Sequence, residues 1–175
     1  MRRPLLLSVL VLAGILAAGH RALAAAPGLT PAEERPAAPG FTLEGASGRE
    51  VSLEGYRGEV VVLNFWATWC HGCKLELPWF VQFEKQYGSR GLTVVGASTD
   101  ADGWKTVRPF LAKKKLNYPV VIADESLTKA YGVAAMPVTV LIDRQGRIAA
   151  TYQGVVDRPA CDRAIQALLR ESASP

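Results

Sequence analysis

The sequence predicts an α/β domain, a central mixed β-sheet with helices on both faces. Three observations carry this. Val60 to Phe65 is a nearly continuous apolar run, V-V-V-L-N-F, which suits a strand buried on both sides in a parallel sheet. A stretch of helical periodicity follows it directly, and strands and helices then alternate to a closing hairpin and helix. The 175 residues are 49% hydrophobic and 21% charged, the balance of an ordinary folded chain with one sizeable core.

The chain divides into three parts. Residues 1–26 read as a targeting segment. Arg2 and Arg3 form a positive start, Leu5 to Gly19 is apolar or small, and Ala22-Leu23-Ala24 offers a small-x-small cleavage pattern. The apolar run falls short of the ~20 residues of a membrane span. A cleaved signal peptide and a retained anchor formed by residues 5–19 are both open, and either places the domain outside the cytoplasm, in the periplasm or an equivalent space. Residues 27–39 carry four prolines and no periodicity, and read as a tether. Residues 40–172 form the domain. The formal net charge is +4, but three arginines (Arg2, Arg3, Arg21) belong to the leader. The remaining 17 basic residues face 16 acidic ones. No basic stripe with interleaved aromatics exists, so no nucleic-acid partner is expected. Lys113, Lys114 and Lys115 read as a solvated helix end.

Within the domain the elements follow in order. Cys70 to Tyr87 has helical spacing, with Leu77, Phe80, Val81, Phe83 and Tyr87 on the apolar side and Pro78 as an expected kink. Leu92 to Gly96 is a second strand. Asp100 to Lys115 reads as a helix, despite Pro109. Val120 to Ala123 is a short strand, and Ser126 to Tyr131 a short helix stopped by Gly132. Val138 to Ile142 and Ile148 to Gln153 are strands joined at Asp143-Arg144-Gln145-Gly146, where Gly146 tolerates positive φ. Asp157 can cap the last helix, with Pro159 in its first turn.

The chemistry concentrates in Trp66-Ala67-Thr68-Trp69-Cys70-His71-Gly72-Cys73. A buried strand enters a short loop, and a helix starts at the first cysteine. There, unpaired backbone N–H groups and the helix dipole favour a thiolate, the species that attacks a disulfide. Cys73, one turn on, can close a disulfide with Cys70. A zinc half-site is the competing reading, but a structural site needs four ligands and no second Cys/His pair exists, so no metal and no cofactor are expected. His71 either stabilises the thiolate or is simply exposed, and Gly72 leaves the backbone free where proline would stiffen it. Glu76, three residues past Cys73, either moves a proton for that thiol or is an acid favoured near a helix N-terminus. Of Trp66 and Trp69, one can pack in the core while the other stays beside the sulfur. Trp69 is the preferred substrate contact. Met136-Pro137 marks a strand start, and a cis bond there cannot be read from local composition. Cys161 shares a helix face with Ile165, Leu168 and Leu169 and reads as a small buried hydrophobe.

Asn64 to Cys70, Cys73 to Pro78, Tyr131-Gly132-Val133, Met136 to Thr139 and Ile142-Asp143 with Gly146 together give a resemblance. From Gly40 to Asp157 the chain resembles the thioredoxin superfamily. It looks most like the exported thioredoxin-like proteins that supply reductant outside the cytoplasm, including those of cytochrome c maturation. The resemblance implies the thioredoxin fold, an exposed nucleophile at Cys70, a resolving thiol at Cys73, and a cis Pro137 facing the pair. It implies that Met136 offers backbone hydrogen bonds to an extended substrate, and that Glu76 matches a glutamate this group keeps near its cysteines. Two positions depart from the pattern. Gly72 stands where reducing members often carry proline, and Asn64 stands where cytoplasmic thioredoxins carry a buried aspartate. Peroxiredoxins share the broad fold, but Cys70 lacks their Thr/Ser/Pro-rich approach and nearby arginine.

The expected activity is therefore an extracytoplasmic thiol–disulfide oxidoreductase that reduces protein disulfides, acting as a monomer. Its partners would be a disulfide-containing protein, apocytochrome c among the candidates, and a membrane thiol donor. A thiol oxidase or disulfide isomerase of the same fold, and a metal chaperone using Cys70 and Cys73, are the alternatives. Reduction potential separates the first two.

Overall fold

The structure is a computed structural model and describes residues 28–172. The expected leader lies outside the described residues. Strand β3 (Val60–Trp66) is the centre of a five-stranded sheet, and all seven of its residues are buried. β4 (Leu92–Ser98) pairs parallel to β3, and β5 (Val120–Ile122) parallel to β4. β6 (Val138–Ile142) and β7 (Ile148–Gln153) complete the sheet antiparallel, giving the order β5-β4-β3-β6-β7. The apolar run of β3 follows from this position, because a central strand has no solvent face.

The two faces are covered differently. Helices α1 (His71–Tyr87), α2 (Trp104–Lys114) and α4 (Arg158–Arg170) pack on one face, over Val60, Val62 and Trp66. Helix α3 (Glu125–Ala130) and a small hairpin, β1 (Thr42–Glu44) with β2 (Glu50–Ser52), cover the other, over Val61, Leu63 and Phe65. The alternation of β3 side chains thus feeds two cores. Helix α1 runs through Pro78, and α4 is capped as expected: the Asp157 side chain accepts from the Ala160 amide at 2.7 Å. The hairpin β1–β2 has no counterpart in the sequence reading.

Two expectations are corrected. Helix α2 starts at Trp104 rather than Asp100. Gly103 sits at φ +52, outside helical geometry, and the Asp100 carboxylate is engaged elsewhere. The larger correction concerns the tether expected at 27–39, whose described part is folded onto the domain. Thr30 N–H donates to Ala149, Ile148 N–H to Pro36 and Ala38 N–H to Gly146, and Ala37 bridges Arg147. Leu29 is buried, and the Tyr131 hydroxyl donates to the Pro39 carbonyl at 2.7 Å. Arg35 is the main anchor. Its side chain is 2% exposed and reaches Asp143 at 3.1 Å and Glu171 at 2.6 Å.

Arg35→Ala would leave Glu171 without this partner, while Asp143 keeps Arg147 at 2.8 Å. The expected cost is about 2–3 kcal/mol, below the full penalty for breaking a buried pair. Urea unfolding of the two proteins checks it, and a change under about 0.5 kcal/mol would mean the segment is not fastened there.

Candidate active site

The central strand delivers the chain into the loop Ala67–Trp69, and Cys70 becomes the N-cap of α1 with φ −73 and ψ 116. Its sulfur accepts from the Cys73 amide at 3.1 Å. Where serine or aspartate usually supplies an oxygen, a cysteine sulfur serves an orphan N–H. Cys70 and Cys73 are joined in a disulfide with Cα atoms 5.4 Å apart. The two sulfurs are not equivalent. Cys70 is 7% exposed, and Cys73 is completely enclosed. Trp69 stands out beside Cys70 at 67% exposure, while Trp66 is fully buried against Phe110.

Two further loops close on the pair. The Met136–Pro137 bond is cis, as the resemblance implies. The Pro137 carbonyl accepts from Gly154 N–H at 2.8 Å, which ties this loop to the segment after β7. Gly72 lies where the loops meet: a Cβ there would stand 2.9 Å from Val155 Cγ2 and 3.5 Å from Pro137 Cδ. Gly72 is thus a close-approach glycine that brings the cysteine turn against Pro137. His71 is exposed on the outer side of this turn. Val155, exposed at 46%, was missed by the sequence reading, since Val155-Val156 carries no signal beyond preceding a cap.

Glu76 is the unusual group. It is fully buried, one turn beyond Cys73 on α1. Its Oε1 accepts from Val156 N–H at 2.7 Å. Burial pushes its carboxyl up to about 7, against the opposing pull of the Val156 amide and the Asn64 side chain. Asn64 is itself buried on β3 and donates to the Thr139 hydroxyl at 3.1 Å. A carboxyl that is half ionised near neutrality is suited to exchanging a proton with a buried thiol. Cys161 is buried, and its thiol is pushed up to about 12, mainly by burial and then by the charge of Glu76. That is the behaviour of an inert packing cysteine. Among the described residues, no group of three or more His, Cys, Asp or Glu side chains is placed to hold a metal ion.

A disulfide with one reachable and one enclosed sulfur is suited to passing electrons in two ordered steps, and the sheet that carries it has the strand order of thioredoxins. The chain is a thiol–disulfide oxidoreductase of the thioredoxin fold. Residues 32–168 match the model of the Redoxin family, and the chain belongs to that family. Thiol-disulfide oxidoreductase ResA of Bacillus subtilis is 33% identical over 120 residues, 68% of this chain and 66% of its own length. The thioredoxin-like protein YneN of the same organism is 33% identical over 127 residues, 72% of this chain and 75% of its own. Among solved structures, a DsbE-type thiol:disulfide interchange protein of Chlorobium tepidum superposes with a TM-score of 0.74 at 34% identity. That match covers 77% of this chain and 96% of that one.

Proposed function

We propose that the protein is an exported dithiol reductase of protein disulfides. The observation that carries this reading is the asymmetry of the pair, with Cys70 7% exposed and Cys73 wholly enclosed one helical turn before the buried Glu76. In the reduced form Cys70, held as a thiolate by the helix N-terminus and the Cys73 amide, attacks one sulfur of a client disulfide. The S–S bond breaks, a mixed disulfide forms, and the second client sulfur leaves as a thiolate that takes a proton from solvent. Glu76 then takes the Cys73 proton, and the Cys73 thiolate attacks Cys70 Sγ. The expelled client sulfur takes up the proton held by Glu76, directly or through solvent, so the client leaves as a dithiol, and the protein keeps the Cys70–Cys73 disulfide until a membrane dithiol donor reduces it.

Trp69, Met136 and Pro137 bind the extended client segment around its cysteine, and His71 and Gly72 tune the pair. The resemblance to exported relatives favours a location outside the cytoplasm. Residues 1–26 then act as a signal or anchor, residues 40–172 hold the catalytic fold, and apocytochrome c is the leading client. Equilibration of the leader-free domain with dithiothreitol or glutathione tests the direction of flow. A potential near the thioredoxin value of about −270 mV is expected, and one near about −120 mV would make the protein an oxidant and overturn the reading.

A further inference from the structure

The turn Ser98-Thr99-Asp100, at the end of β4, touches both lips of the site without touching either cysteine. Asp100 is 5% exposed. Its Oδ2 accepts from the Thr68 amide at 2.9 Å and from the Ser98 hydroxyl at 2.8 Å, and its Oδ1 accepts from the Thr68 hydroxyl at 2.5 Å. Its own amide donates to Ser98 Oγ at 3.2 Å. Thr68 is two residues before Cys70 and adjacent to Trp69. The neighbouring Thr99 continues the attachment. Its amide donates to the Trp66 carbonyl at 2.9 Å, and its hydroxyl lies 3.3 Å from the same carbonyl and also meets Met136 Sδ. Three successive residues therefore hold the loop before Cys70 on one side and the residue before cis-Pro137 on the other.

We infer that Ser98, Thr99 and Asp100 form a positioning clamp that sets the spacing between the Trp69–Cys70 loop and the Met136–Pro137 loop, and so governs how well a protein client is held. The inference rests on the proposed reading that the client lies between those loops. A bare carboxylate is suited to the task. It offers two acceptor oxygens to a backbone donor and two hydroxyl donors, and charge-assisted bonds of this kind are the stronger class. Thr68 is fixed through both its amide and its side chain, which leaves the loop little freedom to slide. The disulfide chemistry is built locally, from the helix N-terminus and Glu76, and does not use the clamp.

The two contributions separate in measurement. Asp100→Asn keeps size but turns one acceptor into a donor, which opposes a donor of Thr68 or Ser98. It should raise KM for a disulfide-containing protein about tenfold, as expected for loss of one charge-assisted bond, with kcat within about twofold. Exchange with dithiothreitol and the reduction potential of the pair should stay as in the parent. Thr99→Val, which removes the hydroxyl that meets Met136 and the Trp66 carbonyl while keeping the backbone bond to Trp66, should raise the same KM by about threefold. The double variant Thr68→Val/Asp100→Asn should lose less than the two single variants combined, because both break one shared bond. Should Asp100→Asn fail to fold, Thr68→Val and Thr99→Val carry the same test. An unchanged KM in the folded variants overturns the clamp. So does a parallel loss with dithiothreitol, or a shifted potential, since either places the residue in the thiol chemistry. If the parent protein reduces no protein disulfide at all, the proposed function fails first, and the clamp falls with it.

Discussion

Cys73→Ser will turn the protein into a trap for its clients. Cys70 is the partly accessible member of the pair and retains its place at the N-cap of α1, so the first attack on a disulfide survives the substitution. The serine hydroxyl cannot displace the client sulfur, and the mixed disulfide persists until an external thiol cleaves it. Turnover falls to the uncatalysed background while the first step remains stoichiometric. Cys70→Ser removes both turnover and adduct, because the remaining thiol is wholly enclosed. Non-reducing electrophoresis with mass spectrometry of the adducts distinguishes the variants. A client captured on Cys73 in the Cys70→Ser protein would reverse the assigned roles.

Glu76→Gln is expected to stabilise the protein and slow it. The folded carboxyl titrates near 7 instead of its ordinary value of 4.5, so the native state holds this proton more tightly than the unfolded chain does. Its contribution is complete below about pH 4.5 and is lost as pH rises through about 7. Across that window the native state gives up about 3 kcal/mol. Glutamine keeps the acceptor for the Val156 amide without a charge to bury. The oxidised variant should therefore match the parent near pH 4.5 and exceed it by about 2–3 kcal/mol at pH 8. Urea unfolding at the two pH values measures this, and equal differences at both would show that the carboxyl does not titrate in this range. With no base beside Cys73, release of the mixed disulfide should slow on the order of 100-fold at pH 8.

Much of the site was legible because its signals are local. The strand–loop–helix junction places Cys70 at an N-cap by chain geometry alone, and the spacing from Cys73 to Glu76 puts both on one stretch of α1. The burial of Glu76 is not local. It comes from Val156, 80 residues away, whose amide meets the carboxylate. The N-terminal segment hides its fold for the same reason. Its prolines and scarce apolar residues look like a tether, while Arg35 finds Asp143 and Glu171 at separations of 108 and 136 residues. The hairpin β1–β2 escaped notice because three-residue strands show too little alternation to register. Asp100 reads from the sequence as the start of a helix, and its carboxylate instead serves a loop 32 residues earlier.

The way the flanking segments lie along the sheet bears on a hazard common to open β-sheets. β7 is an outer strand, and the stretch from Thr30 to Ala38 bonds to its first two residues, Ile148 and Ala149, and to Gly146 and Arg147 just before it. β5 is the opposite outer strand, and there Gly45 bridges Val121 while the Ala46 amide donates to Val120. An exposed border of amides and carbonyls would recruit any extended peptide as an additional strand and seed aggregation. At the start of β7 and along β5 these positions are taken by the protein's own chain, which shortens the border that a foreign strand could join.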